Sequence, residues 1–120
     1  MEAMLPPLSV FLVEDEVLIR MMIAEMVDEL GHRVVAEAGS VAEAAQLAAS
    51  AKFDLAVLDI NLRGENVLPV ARLIEARRVP FLFASGYGAT GLPTPFHDRP
   101  ILRKPFAVKN LDEAIRRLVR

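Results

Sequence analysis

Glu14, Asp15, Asp59, Ser85 and Lys104 are the residues whose types and spacing suit chemistry on a phosphoryl group. Glu14 and Asp15 follow the apolar run 8–13, Asp59 ends the run 55–58, and Ser85 ends the run 81–84. Lys104 stands just past Ile101 and Leu102 and before Pro105. A divalent cation such as Mg2+ takes hard oxygen ligands, usually one or two carboxylates with waters and phosphate oxygens. Asp15 and Asp59 are therefore expected as direct metal ligands, with the backbone carbonyl of Asn61 beside them and Glu14 acting through water. Carboxylates this close repel one another, so at least one pKa should rise unless a metal or Lys104 is present. Asp59 is the candidate nucleophile, since an aspartate can carry a phosphoryl group covalently. Lys104 and the cation would neutralise the transferring oxygens, and Ser85 would hydrogen-bond one of them.

Each residue also has a plainer explanation. Asp15 could cap a helix, with Glu14 and Glu16 at its positive end. Asp59, with Gly64 and Asn66, could be ordinary loop polarity. Ser85 before Gly86 suits a turn, and Lys104 alone would be a solvated charge. The joint pattern favours chemistry, because every member falls at the end of an apolar run of strand length. In an open parallel sheet the carboxyl ends of the strands face one crevice, where ligands bind.

The elements that must position these groups alternate. Strands are expected at 8–13, 33–37, 55–58, 81–85 and 101–102, separated by helical patterns, which argues for an α/β fold with helices on both faces of a parallel sheet. The runs at 8–13, 55–58 and 81–85 are continuously apolar, as central strands require, whereas 33–37 is mixed and reads as an edge. The first helix is expected at about 16–30, closed by Gly31. Ile19, Ile23, Met26, Val27 and Leu30 form one stripe at helical spacing, and Val17 and Met21 point away from it. Those two are either scattered surface residues or a docking patch beside the acidic group. Ser40 and Glu43 form a capping box for a second helix. Asn110 is expected to cap the last helix, whose Leu111, Ala114, Ile115 and Leu118 make one apolar face. Between Ser85 and Ile101, Gly86, Gly88, Gly91, Pro93, Pro95 and Pro100 leave room for at most a short turn around 94–98.

The chain has 120 residues, 53% hydrophobic and 25% charged, which suits one globular domain. Residues 1–7 read as an N-terminal extension of it. A net charge of −2, with no basic stripe before Arg116, Arg117 and Arg120, argues against nucleic acid. There is no cysteine to make a disulfide or a thiolate site. With neither a leader pattern nor a run long enough to span a bilayer, no membrane contact is expected and the expected location is the cytoplasm.

Taken with their spacing, these residues resemble the receiver domains of two-component response regulators over residues 8–119. Glu14-Asp15 matches that family's acidic pair, Asp59 its phosphoacceptor, Ser85 its switch hydroxyl, and Lys104-Pro105-Phe106 its lysine motif. The resemblance implies a flavodoxin-like strand order 2-1-3-4-5, a cis Lys–Pro bond, a Mg2+ cofactor, and a histidine kinase or histidine phosphotransfer protein as partner. Docking is expected near Val17, Met21 and the last helix, and the downstream protein target stays open. Two positions depart from the family: Ile101 stands where an aromatic is usual, and Leu62-Arg63-Gly64-Glu65 replaces a common proline. Phe83-Ala84-Ser85-Gly86-Tyr87-Gly88 resembles instead the signature of the "FAT GUY" receivers, with Ser for Thr. The chain is thus expected to be a phosphoacceptor and not an enzyme, with residues 86–100 reordering on phosphorylation. Alternatives are a receiver excised from a larger hybrid kinase or regulator, and an aspartate-nucleophile phosphatase. Against the latter, Asn61 occupies the position where such phosphatases carry a second acid.

Overall fold

The structure, a computed structural model, describes residues 5–87, 92, 96 and 98–119. Five parallel strands form one sheet: β1 (Ser9–Val13), β2 (Arg33–Ala38), β3 (Leu55–Asp59), β6 (Phe81–Ser85) and β7 (Ile101–Arg103). Their order is β2-β1-β3-β6-β7, which is the expected 2-1-3-4-5 arrangement. The apolar runs occupy the interior. All residues of β3 and β6 are buried, as are four of the five in β1. The mixed strand β2 lies at the edge with alternating exposure.

Alternate side chains divide the core between the two faces, as the period of a strand requires. Phe11, Val13, Ala56, Leu58, Phe81 and Phe83 point to one side. There they meet helices α2 (Val41–Ser50) and α3 (Leu68–Ala76) through Ala44, Ala48, Val70, Ala71 and Ile74. Val10, Leu12, Leu55, Val57, Leu82 and Ala84 point to the other, against Ile23 and Val27 of α1 (Val17–Glu29) and Leu111, Ala114 and Ile115 of α4 (Val108–Val119).

Helix ends follow local chemistry. Gly31, at φ +86°, lets the chain leave α1 in a conformation that a side chain would disfavour. Ser40 Oγ accepts the Glu43 N–H at 3.2 Å, while the Glu43 carboxylate reaches back to the Gly39 N–H at 2.8 Å, one residue beyond the cap. Asn110 does not begin α4. The helix starts at Val108, and Asn110 Oδ1 instead accepts the Ala107 N–H at 2.9 Å. A short amide acceptor serves from inside the first turn as well as from its start. A feature not expected from the sequence is the antiparallel pair β4 (Asn61–Leu62) and β5 (Glu65–Asn66), turned by Arg63 and Gly64 at φ +50° and +84°. The expected turn at 94–98 lies mostly outside the described residues. Within it Phe96 is buried, with its ring 5.6 Å from Phe81. Among the described residues no helix is long and apolar enough to cross a membrane.

Candidate functional site

The sheet brings the five residues to one rim. β1 ends at Val13, so Glu14 and Asp15 emerge beside the end of β3, where Asp59 is the last strand residue. Ser85 ends the neighbouring β6, and Lys104 follows β7. The Lys104 N–H donates to the Ser85 carbonyl at 2.8 Å, and the Lys104–Pro105 peptide bond is cis. From this position the ammonium reaches across the rim. Lys104 Nζ lies 2.7 Å from Glu14 Oε1 and 3.3 Å from Asp59 Oδ2. Carboxylate oxygens of Glu14, Asp15 and Asp59 all lie within 4.8 Å of one another. Glu14, Asp59 and Ser85 are buried, at 1%, 7% and 4% exposure.

Asp15 does not cap the helix. The residue before α1 is Glu16, with no side-chain cap. Asp15 Oδ2 instead accepts the Arg63 N–H from the β4–β5 turn at 2.9 Å. Glu14 Oε2 accepts the Glu16 N–H at 3.0 Å. The capping explanation therefore fails for Asp15, and its carboxylate is held toward the other two. Ser85 Oγ accepts the Tyr87 N–H at 3.0 Å, which leaves its own hydrogen available to an incoming acceptor.

One ammonium among three carboxylates leaves the acids short of charge. Burial pushes Glu14 up to about 7 against the pull of Lys104 and the Glu16 N–H, and the negative Asp59 adds to the rise. Asp59 is also raised, by burial first, with Lys104 opposing. Asp15 is partly buried, which would raise it, but hydrogen bonds led by the Arg63 N–H hold it below the usual carboxylate range. Lys104 is lifted above an ordinary lysine, because the two acids outweigh its burial. The expected rise of at least one acid thus occurs even with Lys104 in place. A cluster of hard oxygens with surplus negative charge suits a small divalent cation.

A cleft of about 650 Å³ opens from this rim. Asp15, Asp59, Asn61, Ser85 and Lys104 line its polar end, and Ile19, Met22, Met26 and Phe106 its apolar end. Val17 and Met21 are exposed on α1, as the helical spacing indicated, together with Leu18 and Met22.

Residues 10–116 match the family model described as "Response regulator receiver domain". The chain belongs to that family. The receiver is similar to SdrG from Sphingomonas melonis Fr1, with 36% identity and a TM-score of 0.85, covering 95% of this chain and 98% of that one. It is also similar to the receiver domain of PhyR from Erythrobacter litoralis, with 26% identity and a TM-score of 0.82, covering 94% and 90%. Transcriptional regulatory protein PdtaR from Mycobacterium tuberculosis is 34% identical over 113 residues, 91% of this chain and 55% of PdtaR. The receiver thus spans about half the length of the curated relatives it matches.

Sequence reasoning missed two residues at the rim of this receiver. Arg63 holds Asp15 through a backbone N–H, which no side-chain pattern reveals. Arg20 donates from Nη1 to the Glu14 carbonyl at 2.9 Å. The only hint of Arg20 was a cation among the apolar positions of α1.

Proposed function

We propose that this chain is a phosphoacceptor switch in which Asp59 takes a phosphoryl group from a phosphohistidine donor. An Asp59 carboxylate oxygen forms a bond to phosphorus as the phosphorus–nitrogen bond to the donor imidazole breaks. Glu14, Asp15, Asp59 and the Asn61 carbonyl are the residues that would hold Mg2+, which when bound supplies positive charge to the phosphoryl oxygens. Lys104 supplies further positive charge to the same oxygens, and Ser85 donates its hydroxyl hydrogen to one of them. The observation that carries this reading is Lys104 Nζ held between Glu14 and Asp59 at 2.7 and 3.3 Å. The ammonium lies where it would meet a phosphoryl oxygen on Asp59, alongside the cation.

The donor is a histidine kinase or a histidine phosphotransfer protein. Its helix rests against the exposed Val17, Leu18 and Met21 and near the start of α4, beside the apolar end of the cleft. The output is a change of protein contacts through residues 86–100, without turnover of a substrate. The 83–88 signature favours the "FAT GUY" group, typically made of single-domain regulators, and the similarity to SdrG over nearly its whole length supports that reading. Residues 1–120 act as one cytoplasmic receiver module.

Treatment with acetyl phosphate and Mg2+ tests the proposal, read by intact mass and amide NMR. One phosphoryl group is expected on the wild type, none on Asp59→Asn, and none when EDTA replaces Mg2+. Labelling that persists in Asp59→Asn would place the acceptor elsewhere. Repeated release of phosphate from small phosphoesters would favour the phosphatase reading instead.

A further inference from the structure

We infer that Arg20 is a positioning residue for the acidic pair, and that Gly39 is there to make room for its guanidinium. This rests on the reading that Glu14, Asp15 and Asp59 hold a divalent cation.

Glu14 is gripped on both of its peptide groups. Its N–H donates to the Ala38 carbonyl at 3.0 Å, continuing the β1–β2 ladder past the strand. Its carbonyl accepts Arg20 Nη1 at 2.9 Å. That carbonyl belongs to the peptide joining Glu14 to Asp15. ψ of Glu14 and φ of Asp15 both depend on the orientation of this one plane, so a fixed carbonyl pins the main chain of the acidic pair where it leaves β1. Arg20 has a second anchor that sets its own direction, with Nε 3.3 Å from Glu37 Oε1 on the edge strand. The planar fork of a guanidinium lets one side chain span both acceptors.

Space for the fork depends on Gly39. A Cβ built there would lie 2.8 Å from Arg20 Nη1 and 3.7 Å from the Glu14 carbonyl oxygen. The position does not use a positive φ, so its backbone would accept alanine. The atom in the way is the tip of a flexible side chain. Gly39→Ala should therefore evict the guanidinium and leave the main chain in place, removing the clamp without touching Arg20 itself.

The test uses Mg2+ alone, with no phosphoryl donor. Mg2+ Kd and the Asp15 amide resonance, which sits on the clamped peptide, are followed by NMR titration, and metal-free Tm is measured in parallel. Loss of a group that orients metal ligands commonly weakens binding by about 10–100-fold. Arg20→Gln and Gly39→Ala should each raise Kd by about tenfold or more and shift the Asp15 amide before metal is added. Gly39→Ala should keep its metal-free Tm near wild type. Glu37→Gln, which spares the carbonyl bond, should leave Kd near wild type. An unchanged Kd in Gly39→Ala, with its Asp15 amide unmoved, would reduce Arg20 to a staple between α1 and β2 and overturn the inference, even if Arg20→Gln failed to fold. Wild-type protein that ignores millimolar Mg2+ would instead sink the cation reading beneath it.

Discussion

The two ends of the sheet solve opposite problems with similar residues. At the amino end, Asp54 Oδ2 accepts the Ser9 N–H at 2.8 Å and the Ser9 hydroxyl at 3.0 Å, and Ser9 Oγ accepts the Asp54 N–H at 3.0 Å. Buried His32 accepts the Leu8 N–H through Nδ1 at 3.0 Å. Each of these donors has an acceptor within the end itself, with no surplus of like charge among them. At the carboxyl end, Glu14, Asp15 and Asp59 crowd around Lys104, and burial holds two of the acids above their ordinary pKa. A protein built for stability alone would not leave like charges together out of water. The first end closes the fold, whereas the second holds charge in readiness for a ligand.

The sharpest way to break this contrast is Glu14→Gln in metal-free protein. With its carboxyl raised from 4.5 to about 7, folded Glu14 binds a proton that the unfolded chain releases. Its contribution to stability is therefore greatest below 4.5 and falls as pH rises through 7. Ionised Glu14 costs on the order of 3 kcal/mol. Urea unfolding in EDTA should show Glu14→Gln more stable than wild type by about 2–3 kcal/mol at pH 8, with the gain vanishing toward pH 4.5. Equal stability at pH 8 would mean that the carboxyl end is as well matched as the other.

Asp54→Ala tests the opposite end. It removes two solvent-exposed hydrogen bonds and should cost about 1 kcal/mol, with or without Mg2+, in the same unfolding assay. A Mg2+-dependent cost would show the two ends to be coupled. The smallest effect is at His32. Burial holds its imidazole below the ordinary value, with Asp112 opposing and Arg116 adding to the depression. Its contribution is present above the unfolded value of 6.5 and is lost as pH falls below that toward and through the lower folded value. A proton NMR titration should place its midpoint below 6.5. Over the same interval, then, acid should help the carboxyl end and harm the amino end.

Much of this was legible in the chain. Runs such as 55–58 and 81–84 are too apolar to lie anywhere but the middle of the sheet, and a polar residue ending each run must stand at its rim. That reasoning alone placed Asp59, Ser85 and Lys104 together. It could not see contacts made by main-chain atoms. The β4–β5 turn comes from two residues, Arg63 and Gly64, whose positive φ has no apolar pattern behind it, and only that turn explains why Asp15 faces inward. The start of α4 was misjudged because Asn110 can bond backward from within the first turn. Ile101, lacking the family's aromatic ring, packs against the phenylalanine-rich side of the core.

Ser85 answers to three neighbours at once. Its carbonyl is tied to the Lys104 amide and its Oγ to the amide of Tyr87, while its hydroxyl hydrogen is uncommitted. An anion bound at Asp59 that took up that hydrogen would pull on the same oxygen that receives the Tyr87 amide. Tyr87, mostly out in solvent, is the residue that such a pull would reach next. The pit of the molecule and its skin are thereby one hydrogen bond apart.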